Sequence, residues 1–171
     1  MRNLIYKIFY GLPLQNIVVI MILLVFVWWI LDRIFQRNDF YKNLWKFGNI
    51  VMLIGTVVVI VIITIASRSE VTEVILIPLQ SFVEARIQPE IYRSMLMNVF
   101  LFFPLGLTMP YVLPRKWKRS VLFTILFALA FSVVIEYSQY YFRLGRAETD
   151  DVICNTLGCA IGTLSYRLGK K

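Results

Sequence analysis

The sequence predicts an all-α membrane protein, a polytopic bundle of about five transmembrane helices that forms one domain over residues 1–171. Hydrophobic residues make up 59% of the chain, and its mean hydropathy is +0.72. Several apolar runs reach the length of about 20 residues that a helix needs to cross a hydrocarbon core. The longest loop between these runs, residues 67–94, is too short for an ordinary soluble domain.

The net charge of +8 follows the pattern of a membrane protein rather than that of a nucleic-acid-binding one. Lys and Arg residues flank the apolar runs, where they set orientation and meet anionic headgroups. The chain contains no His, which removes the usual general base and the commonest metal ligand. We therefore expect no nucleic acid, no metal and no cofactor.

The first two spans are regular apolar runs. Residues 12–31 make a run about twice as long as the apolar region of a signal peptide, and it ends in Trp28 and Trp29. Tryptophans in that position are typical of a membrane interface, so we predict an uncleaved first span. A basic loop follows, and residues 47–66 form the second span.

Residues 71–82 allow two interpretations. The run at 74–79 is too short to cross a membrane, and Pro78 prevents a regular helix there. It either enters the bundle region as a dipping segment or lid, or lies as an apolar loop at the interface.

The third span, residues 95–113, is predicted to be irregular because it contains Pro104, Gly106 and Pro110. Each proline frees a backbone carbonyl that must find another partner in the membrane. One interpretation is a kinked helix whose free groups are satisfied by neighbours. The other is a broken helix that exposes backbone groups to a ligand.

The fourth span, residues 120–142, contains Glu136, and a short fifth span is predicted at residues 152–168. Gly158 and Gly162 in the fifth span fit the G-x-x-x-G pattern of closely packed helices. Loops on one side of the five spans carry 11 Lys and Arg residues, and those on the other side carry 7. The positive-inside rule then predicts an N-terminus outside the cell and a C-terminus in the cytoplasm.

Polar residues recur at helical spacing on the last two spans. They are Ser132, Glu136, Gln139, Tyr140 and Arg143 on the fourth, and Asp151, Asn155, Gly158, Gly162 and Ser165 on the fifth. Two such faces joined by a short loop most simply face each other, with the glycines allowing close contact. A charged side chain inside a bilayer costs about 2.5–3.5 kcal/mol, so it normally faces a protein interior or a water-filled cavity.

The sequence thus predicts a polar pocket that opens on the outer surface. Its predicted members are Arg68, Asn98, Glu136, Gln139, Arg143, Arg146, Asp150, Asp151 and Asn155. Each has a simpler alternative. Glu136 pairs with an arginine to hold the bundle, Asp150 caps the fifth helix, and the amides bridge helices by hydrogen bonds.

These residues resemble the VanZ-like family of small bacterial membrane proteins over residues 68–162. The resemblance rests on Arg68, on the I-P-L turn from Ile77, on N-V-F-L-F-F-P-L-G from Asn98, on E-Y-S-Q from Glu136, and on D-D-V-I-C-N-T-L-G from Asp150, with Arg146 and Gly162 beside them. Glu148 and Thr149, just before Asp150 and Asp151, depart from the more apolar, aromatic-leaning pair that the family pattern leads us to expect. The family is named for a teicoplanin-resistance protein.

The resemblance implies an envelope protein in the bacterial cell membrane that lowers susceptibility to teicoplanin-type lipoglycopeptides. We weigh three hypotheses. The first is a protein that binds a membrane lipid, a lipid-linked wall precursor or the lipoglycopeptide itself in the outer pocket. The second is a membrane enzyme, in which Glu136 and Asp151 would be the catalytic candidates, and the third is a small transporter. The oligomeric state is not legible from the sequence.

Overall fold

The computed structural model describes residues 14–36, 38–66, 71–88, 90–113 and 117–168. These ranges form a helical bundle with one small pair of strands, so the predicted all-α fold class is confirmed. The elements in chain order are α1 (Leu14–Phe35), α2 (Asp39–Val61) with a π-helical turn (Ile62–Ala66), β1 (Val71–Ile75), α3 (Gln80–Glu84), α4 (Glu90–Val112), α5 (Trp117–Phe142), β2 (Leu144–Glu148), α6 (Thr149–Gly162) and α7 (Leu164–Leu168).

Four helices in the described ranges are long and apolar enough to span a membrane: Gln15–Phe35, Asp39–Ile65, Glu90–Val112 and Arg119–Phe142. The fifth predicted span differs from them. Helix α6 has 14 residues, or about 21 Å of helix rise, which is shorter than a hydrocarbon core of about 30 Å. A turn at Thr163 separates it from α7, and the hydroxyls of Thr163 and Ser165 donate to the carbonyls of Ala160 (2.7 Å) and Gly162 (3.1 Å).

Helix α4 lies at the centre of the bundle, with α2, α5 and α6 packed around it. It is continuous through Pro104 and Pro110, so the broken-helix interpretation of the third span is wrong. Neighbouring helices enclose more than half of its apolar stretch, whereas α1 and α2 are mostly exposed to the surroundings. This enclosure holds the helix together where the prolines remove backbone donors.

The glycines of α6 contact α4 rather than α5. A Cβ atom at Gly158 would overlap the carbonyl of Val99, and one at Gly162 would overlap the carbonyl of Phe103. Gly106 on α4 meets the backbone of Cys159 in the same way. The expectation that glycines bring the fourth and fifth spans together is therefore wrong. Residues 155 and 158 lie about 60° apart around a helix, so α6 presents Asn155 to α5 and its glycines to α4.

The strands β1 and β2 were not predicted. They pair in parallel, with Val71 opposite Leu144 and Ile75 opposite Glu148. Strand β1 leads into residues 76–88, which we name the cap segment and which contains α3. We call this end of the molecule, where the strands and the cap segment lie, the strand end.

Two apolar clusters form the core. The first joins α1, α4 and α6 around residues such as Ile17, Val99 and Cys154. The second joins α2, α4, α5 and α6, and its members are Ile60, Phe102, Leu105, Ala128, Ile135 and Cys159. We name it the inner cluster, because it fills the space between these four helices, three of which carry predicted polar residues.

Candidate functional site

The structure buries most of the predicted pocket residues near the strand end. Exposed fractions are 8% for Glu136, 0% for Gln139, 1% for Asp150, 8% for Asp151 and 2% for Asn155. None of these polar side chains faces lipid. Burial inside a membrane protein is the arrangement expected for side chains whose exposure to hydrocarbon would be costly.

Asp150 holds the cap segment in place. Its Oδ1 accepts the backbone N–H of Leu79 at 2.6 Å, and its Oδ2 accepts that of Ser81 at 2.8 Å. Leu79 precedes α3 and has a left-handed backbone (φ 65°), which an L side chain adopts only when its surroundings favour it. Asp150 therefore satisfies the free N–H groups at the start of α3, although the sequence suggested that it caps its own helix.

An ion pair within β2, an ion pair to Glu84 and a hydrogen bond from Ser81 together connect β2 to the cap segment. The Nε of Arg146 lies 3.1 Å from Oε1 of Glu148, and its Nη2 lies 3.8 Å from Oε2 of Glu84. The hydroxyl of Ser81 donates to Oε2 of Glu148 at 3.0 Å. Sequence reasoning missed Glu84 and Glu148 as partners of Arg146. The signal for Glu148 was its departure from the family pattern, whereas nothing local marks Glu84.

Glu136 lies directly beneath β2. Its Oε2 accepts the backbone N–H of Glu148 at 3.0 Å, so a carboxylate of α5 is tied to the strand that leads into α6. One turn further into the bundle, Nδ2 of Asn155 donates to Oγ of Ser132 at 2.8 Å. The polar faces of α5 and α6 meet at this bond. Asp151 and Glu136 follow on the same two faces, one turn nearer the strand end.

Some predicted residues lie elsewhere. The side chain of Arg143 is exposed at the end of α5, where its backbone is left-handed (φ 55°). Tyr140 is 53% exposed, so its side chain lies on the outside of the helix bundle and not on the buried polar face of α5. Asn98 is half-buried on α4. Arg68 lies outside the described residues.

The buried side chains of the site offer carboxylate charges and amide hydrogen-bonding groups. Among the described residues, no group of three or more Cys, Asp and Glu could hold a metal ion. The hydroxyl of Ser132 accepts from Nδ2 of Asn155, and that of Ser138 donates to the carbonyl of Val134 at 2.7 Å. The serines near Glu136 in the sequence are thus engaged within the bundle, while its carboxylate and the neighbouring amides line the interior.

Comparisons with known proteins agree with the motifs. A family model described as VanZ/LLP1 matches residues 21–170. Protein VanZ of Enterococcus faecium is 35% identical to this chain over 81 residues. That stretch covers 47% of this chain and 48% of the relative, so the similarity spans about half the length of each. No solved structure matches the chain.

Proposed function

Because the chain belongs to the VanZ/LLP1 family, we propose that it is an envelope protein of the bacterial cell membrane that lowers susceptibility to teicoplanin-type lipoglycopeptides. In this proposal it binds an amphiphile or a wall-precursor headgroup in a polar pocket at the strand end. The pocket comprises the buried side chains of Glu136, Gln139, Asp151 and Asn155, with Asn98 beside them.

One observation supports the proposal above the others. Acids and amides are buried between membrane-spanning helices at one end, under a cap segment that Asp150 fastens by two hydrogen bonds. A bundle that needed only stability would fill this space with apolar side chains, since replacing buried ionic groups by apolar ones is often neutral or stabilising. A role in ligand binding explains why polar side chains occupy this buried space.

In this proposal the acids and the arginines bind different parts of the ligand. Glu136 and Asp151 attract cationic parts of a ligand. Arg143 is exposed and Arg146 is partly exposed, so both reach phosphate or carboxylate groups at the membrane surface, for which guanidinium geometry is suited. Arg68 is assigned the same role by its place in the motif.

The other two hypotheses find less support. A transporter of the kind that uses discontinuous helices would need the third span to be broken, and α4 is continuous. An enzyme that uses a serine nucleophile would need a free hydroxyl near Glu136, but the hydroxyl of Ser132 accepts from Asn155 and that of Ser138 donates to the carbonyl of Val134. Binding therefore remains the proposal.

The first test replaces Glu136 by Gln in a susceptible bacterial host that expresses the protein. We expect the variant to lose protection against teicoplanin, because the amide removes the negative charge while it keeps an acceptor for the N–H of Glu148. The measurement is the minimal inhibitory concentration together with the amount of protein in the membrane. We expect Asp151→Asn to lose protection against teicoplanin in the same way.

The control is Glu90→Gln, since Glu90 is exposed at the start of α4. It should retain full protection. If Glu136→Gln also protects fully at equal abundance, Glu136 has no part in the mechanism.

A further inference from the structure

Each of four neighbouring helices carries at least one residue of the inner cluster that has a polar residue one turn nearer the strand end. The four pairs are Ile60 with Thr64 on α2, Phe102 with Asn98 on α4, Ile135 with Gln139 on α5, and Cys159 with Asn155 on α6. Residues four apart share a helix face. The four polar residues therefore border the same interhelical space, directly above the inner cluster, and we name them the polar layer.

Three members of the polar layer have a buried atom without a hydrogen-bond partner among the described residues. They are Oε1 of Gln139, Oδ1 of Asn155 and Nδ2 of Asn98. Gln139 is fully buried, and its Nε2 donates to the backbone carbonyl of Thr64 at 3.0 Å. A carbonyl can only accept, so this bond fixes the orientation of the Gln139 amide and leaves its oxygen as the atom without a partner.

Such atoms are destabilising, and more so where the dielectric constant is low. Native proteins keep few of them, and each one calls for an explanation. Three in one layer, on three different helices, have a common explanation in a ligand that enters between the helices. Two of the three are carbonyl oxygens, and the carboxylate of Glu136 lies on the same helix face as Gln139, so the layer offers mainly acceptors.

We propose that the polar layer binds an N–H or O–H group of an amphiphile's headgroup, as an amine or a sugar hydroxyl supplies it. Phosphate is rejected at this depth, since its oxygens would face carbonyl and carboxylate oxygens. This inference rests on the proposed function and names the chemistry of the group that the pocket takes.

The test uses the full chain in nanodiscs of phosphatidylcholine, whose headgroup has no N–H or O–H donor. Three lipids are then added separately to the discs: a glycosyl diacylglycerol, phosphatidylethanolamine and phosphatidic acid. We expect the first or the second to raise the midpoint of thermal unfolding by about 3–5 °C when present at ten times its dissociation constant. Phosphatidic acid should leave the midpoint unchanged. The lipid that gives the larger shift, the glycosyl diacylglycerol or phosphatidylethanolamine, shows whether the donor is a sugar hydroxyl or an amine.

Variants connect this shift to the polar layer. Asn98→Leu has a similar shape and removes one of the three atoms, so its midpoint in pure phosphatidylcholine should equal or exceed that of the wild type. Gln139→Met removes the acceptor Oε1 and should lose the shift caused by either donor lipid. Asn98→Leu removes the donor Nδ2, so it should weaken only the shift caused by the glycosyl lipid, whose hydroxyl can also accept. Thr108→Val is the matched control, because Thr108 is buried on the same helix and its hydroxyl bonds within that helix to the carbonyl of Pro104. This control should keep the shift.

Three results would overturn the inference: equal midpoints in all four membranes, a phosphatidic acid shift as large as the others, or a donor-lipid shift that Gln139→Met retains. If Asn98→Leu unfolds at a lower temperature than the wild type in pure phosphatidylcholine, the amide of Asn98 has a structural role and the inference fails for Asn98. Gln139→Met, which removes Oε1, then decides for the layer. The test in cells with Glu136→Gln does not depend on the identity of the headgroup, so the proposed function can stand when this inference falls.

Discussion

Asp150 and Asp151 are adjacent acids, but their positions on α6 give them different surroundings. Successive residues of a helix lie about 100° apart, so only one of the two can point at the cap segment. Asp150 does so and accepts two backbone N–H groups. Asp151 shares its face with Asn155 and is turned toward the polar face of α5. We infer that Asp150 stabilises the site and that Asp151 belongs to it.

This division predicts that Asp150→Asn costs stability. An asparagine has one acceptor oxygen, so one of the two N–H groups now in contact would meet an NH₂ group instead, and Leu79 would lose a bond that holds its left-handed backbone. We expect a loss of about 2–3 kcal/mol in the free energy of unfolding. Thermal unfolding in detergent and limited proteolysis within residues 76–88 measure it.

Asp39→Asn is the control at the other end of the bundle, where an exposed acid pairs with Lys42. Exposed pairs of this kind contribute little because water and salt screen them, so this variant should be nearly neutral. Equal stability of the two variants would show that Asp150 does not fasten the cap segment.

The burial of the polar residues was more predictable than their hydrogen-bond partners. Glu136, Gln139, Asp151 and Asn155 were picked out because polar groups at helical spacing are conspicuous in apolar runs, and the structure buries all four. The hydrogen bonds from Leu79 and Ser81 to Asp150 were not predictable. They join residues about 70 positions apart in the chain, and no local pattern indicates such contacts.

At the scale of elements, the helices followed from apolar runs, whereas β1 and β2 did not. Each strand has only five residues, and a two-stranded pair has little stability of its own. Tertiary contacts decide whether the strand pair forms. The packing of α5 and α6 positions β2 beside β1, which follows α2 in the chain. The π-helical turn at the end of α2 is a second feature without a sequence signal, and it contains Thr64, whose carbonyl accepts from Gln139. Turns of this type occur mostly as single insertions, frequently at functional sites.

The contact between α4 and α6 predicts a large effect of Gly158→Ala. The added Cβ would overlap the backbone carbonyl of Val99, which cannot move without displacing α4. We expect a loss of about 3 kcal/mol or more in the free energy of unfolding, or no folded protein in the membrane. The measurement is the amount of monodisperse protein after extraction, followed by its thermal unfolding.

Gly55→Ala supplies the matched control within α2, because nothing lies within 4 Å of a Cβ at that position. Alanine is the better helix former by about 1 kcal/mol, so this variant should be neutral or slightly more stable. A tolerated Gly158→Ala would mean that α4 and α6 are further apart than described.

At the scale of the whole molecule, the two ends of the bundle have different characters. The strand end collects the acids, the cap segment and the amides of the polar layer. The opposite end is closed by aromatic side chains: Trp28 donates to Asn49 at 3.1 Å, and the rings of Trp45 and Tyr111 lie 5.7 Å apart. Tryptophan and tyrosine suit a membrane interface, so this end matches the interfacial role that the sequence indicated for Trp28.

A lipoglycopeptide and the precursors that it binds meet the cell from outside, so the proposed function requires the strand end to face outward. The charge distribution predicts this orientation, since the more basic loops lie at the opposite end. Single cysteines test it. Gln88→Cys places a thiol at an exposed position of the cap segment, and Asp39→Cys places one at the opposite end, where the native side chain is 91% exposed.

The native cysteines do not interfere with this measurement, because Cys154 and Cys159 are 3% and 0% exposed and should not react. A membrane-impermeant maleimide should label Gln88→Cys in intact cells and Asp39→Cys only after the membrane is permeabilised. The unmodified chain is the control for background. The reverse labelling pattern would place the polar pocket on the cytoplasmic side. Direct binding of an extracellular antibiotic would then be excluded, and only ligands that reach the inner leaflet would be left as candidates.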